Sequence, residues 1–360
     1  MRILITTFQG GVAGATYSIS YLAKGLVQRG HQVYLAGMQD SLLFQLLDDT
    51  DVKLIPMPFR SKIDRQTIRM LRDLIKQEGI EIVNAQSSKD RYLTIFSKWL
   101  YKLPVKIVHT RRQYPLSAGG KIHSNFYVWG TDKIIVVSEE LKNVFISKGY
   151  PSNHLQVIYN GTPSEQYQNI SQERIAELRE RLDIQKEDTV IGCVSRMKEQ
   201  PQLIEALQYL DASVKVIFAG IEEGSLDKHI DQYGIKNSII YAGTLSKKDT
   251  LHLYKLLDVN VLPSTMDGFG LVLVEAMALG VPVVATNFGG IKSVVTDGVD
   301  GLLFDNNDAK GLADQIKKAL YNQPIREKLI QNGKSTALEK FSIEKTVENH
   351  ETFFQSLLRG

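Results

Sequence analysis

Apolar positions recur along this chain in two alternating patterns. Short β-branched runs at residues 3–6, 32–36, 82–84, 105–109 and 133–137 alternate with longer stretches, beginning at residues 16–28, in which apolar side chains return every three or four positions. The first pattern predicts buried strands and the second predicts amphipathic helices. Strand, helix, strand in that order predicts a parallel sheet with helices on both faces. Gly30 and Gly149 follow helical stretches where a left-handed cap falls. A polar, charge-rich segment over 160–187, with Pro163 and an exposed helical pattern at 172–182, interrupts the alternation and places a domain boundary there. The alternation restarts at 190–194, 214–219, 239–241, 259–262 and 281–285, which predicts a second doubly wound domain. The tail, 342–358, has helical spacing and suits packing on either domain.

Length agrees with this division, because 360 residues suit two cores of ordinary size. Forty-three Lys and Arg against 40 Asp and Glu leave a formal charge of +3, too even for a surface built to hold nucleic acid. The single cysteine, Cys193, lies within the apolar run 190–194 and reads as a packed core thiol in a reducing, cytoplasmic setting. The first residues lack the pattern of a signal peptide, and no run reaches the roughly 20 apolar residues of a membrane span. Cytoplasmic placement follows, with membrane contact limited to peripheral association on the inner face. No His, Cys or carboxylate cluster has metal-ligand spacing, so neither a metal nor a bound cofactor is expected.

In open parallel sheets a ligand sits beyond the carboxyl ends of the strands, so the residues after each strand carry the chemistry. After the first strand, Gly10 and Gly11 stand in Gln9-Gly10-Gly11-Val12-Ala13-Gly14, where backbone amides can approach an anion or simply make a tight turn. The spacing is not that of a dinucleotide fingerprint, and no acidic residue closes the second strand, which argues against a nicotinamide enzyme. After 190–194 come Arg196 and Lys198, a cation pair suited to a diphosphate, with solvated surface charge as the alternative. After 259–262 comes a loop carrying Asp267, Gly268 and Gly270, then a helix from Leu271 bearing Glu275. The glycines let helix N-terminal amides meet phosphate or sugar oxygens; as isolated groups, the two carboxylates read as a cap and a surface charge. Asn287-Phe288-Gly289-Gly290 follows the next strand and lies at the same end of the sheet. In the first half, Lys89, Arg91, Arg111 and Arg112 follow strands and either gather an anionic group or remain solvated.

The stretch from Asp267 through Glu275 to Thr286, with Gly289 and Gly290, closely resembles the signature of the large retaining glycosyltransferase family that includes glycogen and sucrose-phosphate synthases, the group 1 glycosyltransferases. The resemblance extends over nearly the whole chain, through Gly10-Gly11, Gly30-His31, Val137-Ser138, Asn160-Gly161, Arg196/Lys198, Ala219-Gly220, Tyr241-Ala242-Gly243 and Asp297-Gly298 to Gly301. It implies the GT-B fold: two Rossmann-like, doubly wound parallel-sheet α/β domains facing each other across a cleft. An acceptor-side domain would comprise 1–165 with 343–360, and a donor-binding domain 166–342. It also implies a retaining, metal-independent transfer from a nucleotide sugar, with a UDP-sugar favoured, to a saccharide or lipid-linked acceptor. Arg196 and Lys198 would hold the diphosphate, Glu275 the ribose hydroxyls and Asp267 the hydroxyls of the transferred sugar. The amides of Phe269, Gly270 and Leu271 would meet phosphate and sugar, Gly243, Thr244 and Leu245 would border the base, and His109 would contact the donor sugar unless it is a buried structural histidine. Lys89, Arg91, Arg111 and Arg112 are the candidate acceptor residues, for an acceptor bearing phosphate or carboxylate.

The chain departs from the family pattern in four places. Asp267 stands for the usual glutamate, the Arg196 to Lys198 loop is about three residues short, Ser293 replaces a common glutamate, and Thr162-Pro163 replaces Ile-Asp. A sugar-nucleotide epimerase of the same architecture and a catalytically degenerate, sugar-nucleotide-binding subunit are the competing readings.

Overall fold

Each of the predicted alternations closes into a fully parallel sheet in the computed structural model, which describes residues 1–114 and 120–360. The first sheet contains β1 (Arg2–Thr6), β2 (Gln32–Gly37), β3 (Lys53–Pro56), β4 (Ile82–Ala85), β5 (Lys106–Arg111), β6 (Lys133–Val136) and β7 (Leu155–Val157), in the order β3-β2-β1-β4-β5-β6-β7. The second contains β8 (Val190–Val194), β9 (Lys215–Ala219), β10 (Ile239–Gly243), β11 (Val259–Leu262), β12 (Val283–Thr286) and β13 (Leu302–Phe304), in the order β10-β9-β8-β11-β12-β13. In local numbering the second order runs 3-2-1-4-5-6, the Rossmann arrangement, the first extends it by a seventh strand, and both reverse direction beside their first strand. Two Rossmann-like parallel-sheet domains are therefore present.

One unit comprises Met1–Thr162 with Ile343–Gly360, and the other Pro163–Ser342. The chain leaves the first unit and re-enters it at adjacent points, since Ile343 N donates to the Thr162 carbonyl at 3.1 Å. The returning helix, Ile343–Arg359, packs on the helix Gly14–Gln28. Only a glycine permits that approach at position 25, where a Cβ would fall 2.4 Å from Val347 Cγ2. Val347 and the fully buried Phe354 complete the core around Ile3, Ile5, Leu22 and Val108. At the rim, Glu351 takes hydrogen bonds from Arg29 at 2.5 Å and His31 at 3.0 Å. The tail thus belongs to the first unit because it supplies apolar surface that the first helix would otherwise expose.

Several strand limits differ from the sequence expectation. The fifth strand runs on to Arg111 rather than stopping at His109, and β12 begins at Val283 rather than at residue 281. The short strands β3, β7 and β13 carry no separate sequence signal. Gly30 and Gly149 do adopt positive φ, 81° and 88°, as left-handed caps require. Cys193 is fully buried in β8, and burial pushes its thiol pKa up to about 12.

The returning helix also carries a titratable group in this core. His350 is buried, its Nδ1 lies 2.8 Å from the Thr346 carbonyl, and burial lowers its pKa to about 4. An unfolded chain protonates this imidazole near pH 6.5, whereas the folded one stays neutral. Stability is thus lost as pH falls from 6.5 toward 4. Urea unfolding should show the wild type losing about 2 kcal/mol more than His350→Phe between pH 6.5 and 5; equal pH slopes would remove His350 from this dependence.

Candidate functional site

The strand-order reversal in the second sheet lies between β8 and β11, so the chain turns away in opposite directions after Val194 and after Leu262 and opens a crevice. Gln200 organises the first of these turns from inside. Its fully buried amide donates through Nε2 to Ser195 Oγ at 2.9 Å and to the Arg196 carbonyl at 2.8 Å, while Oε1 accepts from Lys198 N. Arg196 is left exposed on a loop whose backbone is pinned. The next strand, β9, comes close because Gly220, at φ 98°, sets its Cα against the Ser195 carbonyl, 2.9 Å from where a Cβ would sit.

Two side-chain contacts join this loop to the one after β11. Glu199 accepts from Thr265 N at 3.0 Å and from Thr265 Oγ1, and Lys198 Nζ forms an ion pair with Asp267 Oδ2. Despite the short spacing, Lys198 therefore meets the carboxylate that replaces the family's glutamate. Gly268 and Phe269 are buried, and Phe269 packs edge-on against Phe341 at 5.3 Å. Gly270, at φ 93°, turns the chain into the helix Leu271–Ala278. No side chain caps that helix, so its first amides, from Leu271 onward, form the positive end of a dipole.

Glu275 sits on the second turn of this helix, 5% exposed, in an ion pair with Lys247. Lys247 comes from the segment after β10, where Gly243 adopts φ 64°, Thr244 is exposed and Leu245 is half-buried. The two carboxylates thus pair with cations on two different segments, the loop after β8 and the start of the helix Lys247–Tyr254, rather than standing together unpaired. Beneath them Tyr254 donates to the Val272 carbonyl at 3.1 Å; burial, then the charge of Glu275, raises its pKa well above the usual value.

The first unit gathers a different set of groups. Gly10 is packed, with a Cβ position only 2.6 Å from Ser41 Cβ, whereas Gly11 faces open space. The following helix begins at Gly14, so these glycines precede its first turn. His109 lies inside β5, fully buried, and among the described residues neither ring nitrogen has a hydrogen-bond partner. Burial, then Arg91 and Arg111, push its pKa well below 6.5 and keep it neutral. Arg91 and Arg111 are each 9% exposed rather than solvated. Arg91 Nη2 donates to the Gln86 carbonyl at 2.8 Å, and its pKa falls to about 9 through burial and the neighbouring Arg111. Arg111 stacks its guanidinium over Tyr127 at 4.9 Å and Phe145 at 5.1 Å. Arg112 donates to Gln86 Oε1, and burial lowers its pKa to about 10. Among the described residues, the Nε atoms of all three arginines have no hydrogen-bond partner. The buried carboxylate beside them, Asp90, is occupied by the turn after β4, accepting from Gln86 N and Ser87 N at 2.9 Å each and from Ser87 Oγ. Lys89 stands apart, with its Nζ 4.8 Å over the Phe8 ring. Among the described residues no three His, Cys, Asp or Glu side chains gather to hold a metal ion.

Comparison with known proteins bears on this arrangement directly. Residues 174–336 match the family model described as Glycosyl transferases group 1, and residues 12–166 match Glycosyltransferase Family 4. The chain belongs to the group 1 glycosyltransferases. An uncharacterised glycosyltransferase of Methanocaldococcus jannaschii is 30% identical across 67% of this chain and 64% of its own length. The N-acetyl-alpha-D-glucosaminyl L-malate synthase of Bacillus anthracis is 22% identical, across 100% of this chain and 98% of its own. The crystal structure of Anabaena HepE in complex with UDP superposes with a TM-score of 0.84 at 22% identity, covering 99% of this chain and 100% of that one. That likeness shows the same fold.

Within this glycosyltransferase, sequence reasoning missed Gln200, Glu199 and Lys247. Gln200 and Glu199 lie inside the recognised loop but look like ordinary polar residues. Lys247 is 28 positions from Glu275 and has no motif of its own.

The site's tightest constraint is a backbone contact. A Cβ on Gly290 would fall 2.0 Å from the Gly268 carbonyl oxygen, and Gly290 N donates to the Asp267 carbonyl at 3.3 Å. Gly290→Ala should therefore displace the Asp267 loop, lowering the thermal midpoint by several degrees, consistent with about 1–3 kcal/mol of overpacking. An unchanged midpoint in differential scanning calorimetry would count against that contact.

Proposed function

We propose that this protein is a retaining, metal-independent glycosyltransferase that moves a sugar from a nucleotide sugar, with a UDP-sugar favoured, to a hydroxyl of a cell-envelope, lipid-linked or other saccharide acceptor. The observation that carries this reading is the joining of two loops at the β8/β11 reversal, where Lys198 pairs with Asp267 beside the exposed Arg196. In the proposed course Arg196, Lys198 and the amides of Phe269, Gly270 and Leu271 stabilise the departing diphosphate. Glu275 takes the ribose hydroxyls, so Lys247 serves to hold its carboxylate in place. Asp267 takes the hydroxyls of the transferred sugar, and Gly243, Thr244 and Leu245 border the base. The acceptor oxygen bonds to the anomeric carbon on the face from which the diphosphate leaves. Its proton passes to a departing phosphate oxygen, and no side-chain base is required. His109, neutral and without a hydrogen-bond partner, is suited to a sugar hydroxyl as either donor or acceptor. The complexes of HepE with UDP and UDP-glucose favour a uridine donor for the family member here.

The acceptor, on this reading, carries a phosphate or carboxylate held by Arg91, Arg111 and Arg112. Support comes from their surplus of buried positive charge and from the dicarboxylate malate in the name of the Bacillus anthracis relative. Guanidinium groups with unmet Nε–H donors suit such oxyanions. Lys89, over Phe8, lies outside that cluster and would contribute long-range attraction.

Nucleotide release from a panel of UDP-, GDP- and ADP-sugars tests the transfer. Arg196→Ala should lower turnover by about 10²–10³-fold with the fold intact, and Glu275→Ala should abolish the donor dependence. Near-normal turnover in both, or conversion of the donor to its epimer with no acceptor present and no nucleotide released, would overturn the assignment. For the acceptor, Arg111→Ala/Arg112→Ala should raise KM for phosphate- or carboxylate-bearing acceptors by about tenfold or more while sparing neutral ones. An equal effect on both classes would remove the anionic group.

A further inference from the structure

The helix Lys121–Gly130 buries Ser124 and Tyr127 on one side and turns Ile122, Phe126 and Trp129 to the other. Ile122 and Trp129 are 90% and 74% exposed, far beyond what a monomer surface usually spends on side chains of that size. Phe126 stacks on Tyr92 at 5.3 Å and meets Trp99 edge-on at 5.6 Å. The ridge therefore continues onto the helix Ser88–Tyr101, where Trp99 and Leu100 are also exposed. The chain has two tryptophans, and both stand on this ridge.

Charge along the two helices of the ridge is predominantly positive. Residues 91–131 contain seven Lys and Arg and no Asp or Glu, in a chain where the two signs are otherwise nearly equal. Lys121 and Lys102 are exposed at the ends of the two helices, and Lys62 lies 4.8 Å over the Tyr92 ring. The carboxylate that follows, Asp132, is neutralised by Lys98 at 2.8 Å and Lys106 at 3.8 Å. Among the described residues no helix is long and apolar enough to cross a membrane.

We propose that the ridge of Trp99, Leu100, Ile122, Phe126 and Trp129, flanked by Lys62, Lys102 and Lys121, docks the protein on an anionic lipid surface. Tryptophan suits the bilayer interface, with its ring among acyl chains and its N–H among headgroups. Lysines around it add attraction to anionic lipid. Docking through this surface needs no transfer reaction. It gains a purpose from the reading above, because the same helix places Tyr127 against Arg111. A lipid-linked acceptor would then arrive beside the guanidinium cluster.

Because both tryptophans lie on the ridge, their emission reports docking in the unmodified protein without donor or acceptor. Vesicles of phosphatidylcholine containing about 30% phosphatidylglycerol should shift the emission to the blue and sediment the protein, and both effects should weaken at high salt. Phosphatidylcholine alone should do neither. Ile122→Ser/Trp129→Ser should lower partitioning by about tenfold or more, with an unchanged unfolding midpoint because both side chains are exposed. Lys121→Glu should lower it further at low salt. An emission maximum unmoved by anionic vesicles, or equal partitioning of wild type and double variant, would overturn the proposal. So would a dimer in light scattering that the double variant dissolves, since the ridge would then join two copies of this chain. Glycosyl transfer from the donor panel is measured separately, so loss of one reading leaves the other standing.

Discussion

Where Gly290 meets Gly268, two backbone segments touch with no side chain between them, and any Cβ there would overlap a carbonyl group. The geometry of the second unit's carboxyl edge follows from this contact. It sets the turn after β12 against the turn after β11, and Gly290 N holds the Asp267 carbonyl. Asp267 in turn receives Lys198, whose own backbone is fastened to the buried Gln200. A sequence of short-range contacts thus runs across three strand ends and leaves Arg196 and the start of the helix Leu271–Ala278 at one edge. Loops of this kind acquire rigidity from buried polar groups with satisfied partners, since each bond left unmade in such a place costs about 1–3 kcal/mol.

The two units handle charge in opposite ways. In the second, Lys198 and Lys247 each face a carboxylate, so the site is close to neutral and Arg196 is the cation left exposed. In the first, Arg91 and Arg111 lie beside a neutral His109 and Arg112 bonds Gln86, while Asp90 is committed to its own turn. The depressed pKa values of Arg91 and Arg112 follow from burial, which disfavours the charged form of both, and for Arg91 also from repulsion by Arg111. Cation stacking on Tyr127 and Phe145 recovers part of that cost for Arg111. An anion recovers more, which is why a surplus of buried guanidinium has a chemical meaning that a surplus of surface lysine lacks.

Strands were legible where an apolar run was long enough and flanked by turns, as at 3–6, 190–194 and 259–262. They were illegible at β7 and β13, where three residues carry too little pattern, and at β3, which closes on Pro56. The end of β5 was misplaced for a more informative reason. His109, Thr110 and Arg111 are polar, yet they stay in the ladder, pair with β6 and are buried. Polarity there does not mark the end of a strand.

Periodicity, glycine placement and the long motif from Asp267 to Thr286 were enough to determine two Rossmann-like sheets and the strand ends where chemistry collects. They act locally, through strand and helix propensity and through backbone angles that only glycine readily adopts, and local constraints are written in consecutive residues. Which partner each charge takes was decided by the tertiary structure alone. Lys247 reaches Glu275 across 28 positions, the tail from Ile343 finds the first helix rather than the second sheet, and Arg91 and Arg111, from a helix and a strand, converge on one histidine. Those pairings depend on where strands order themselves within a sheet, and that order is a property of the packed molecule with no counterpart in sequence spacing.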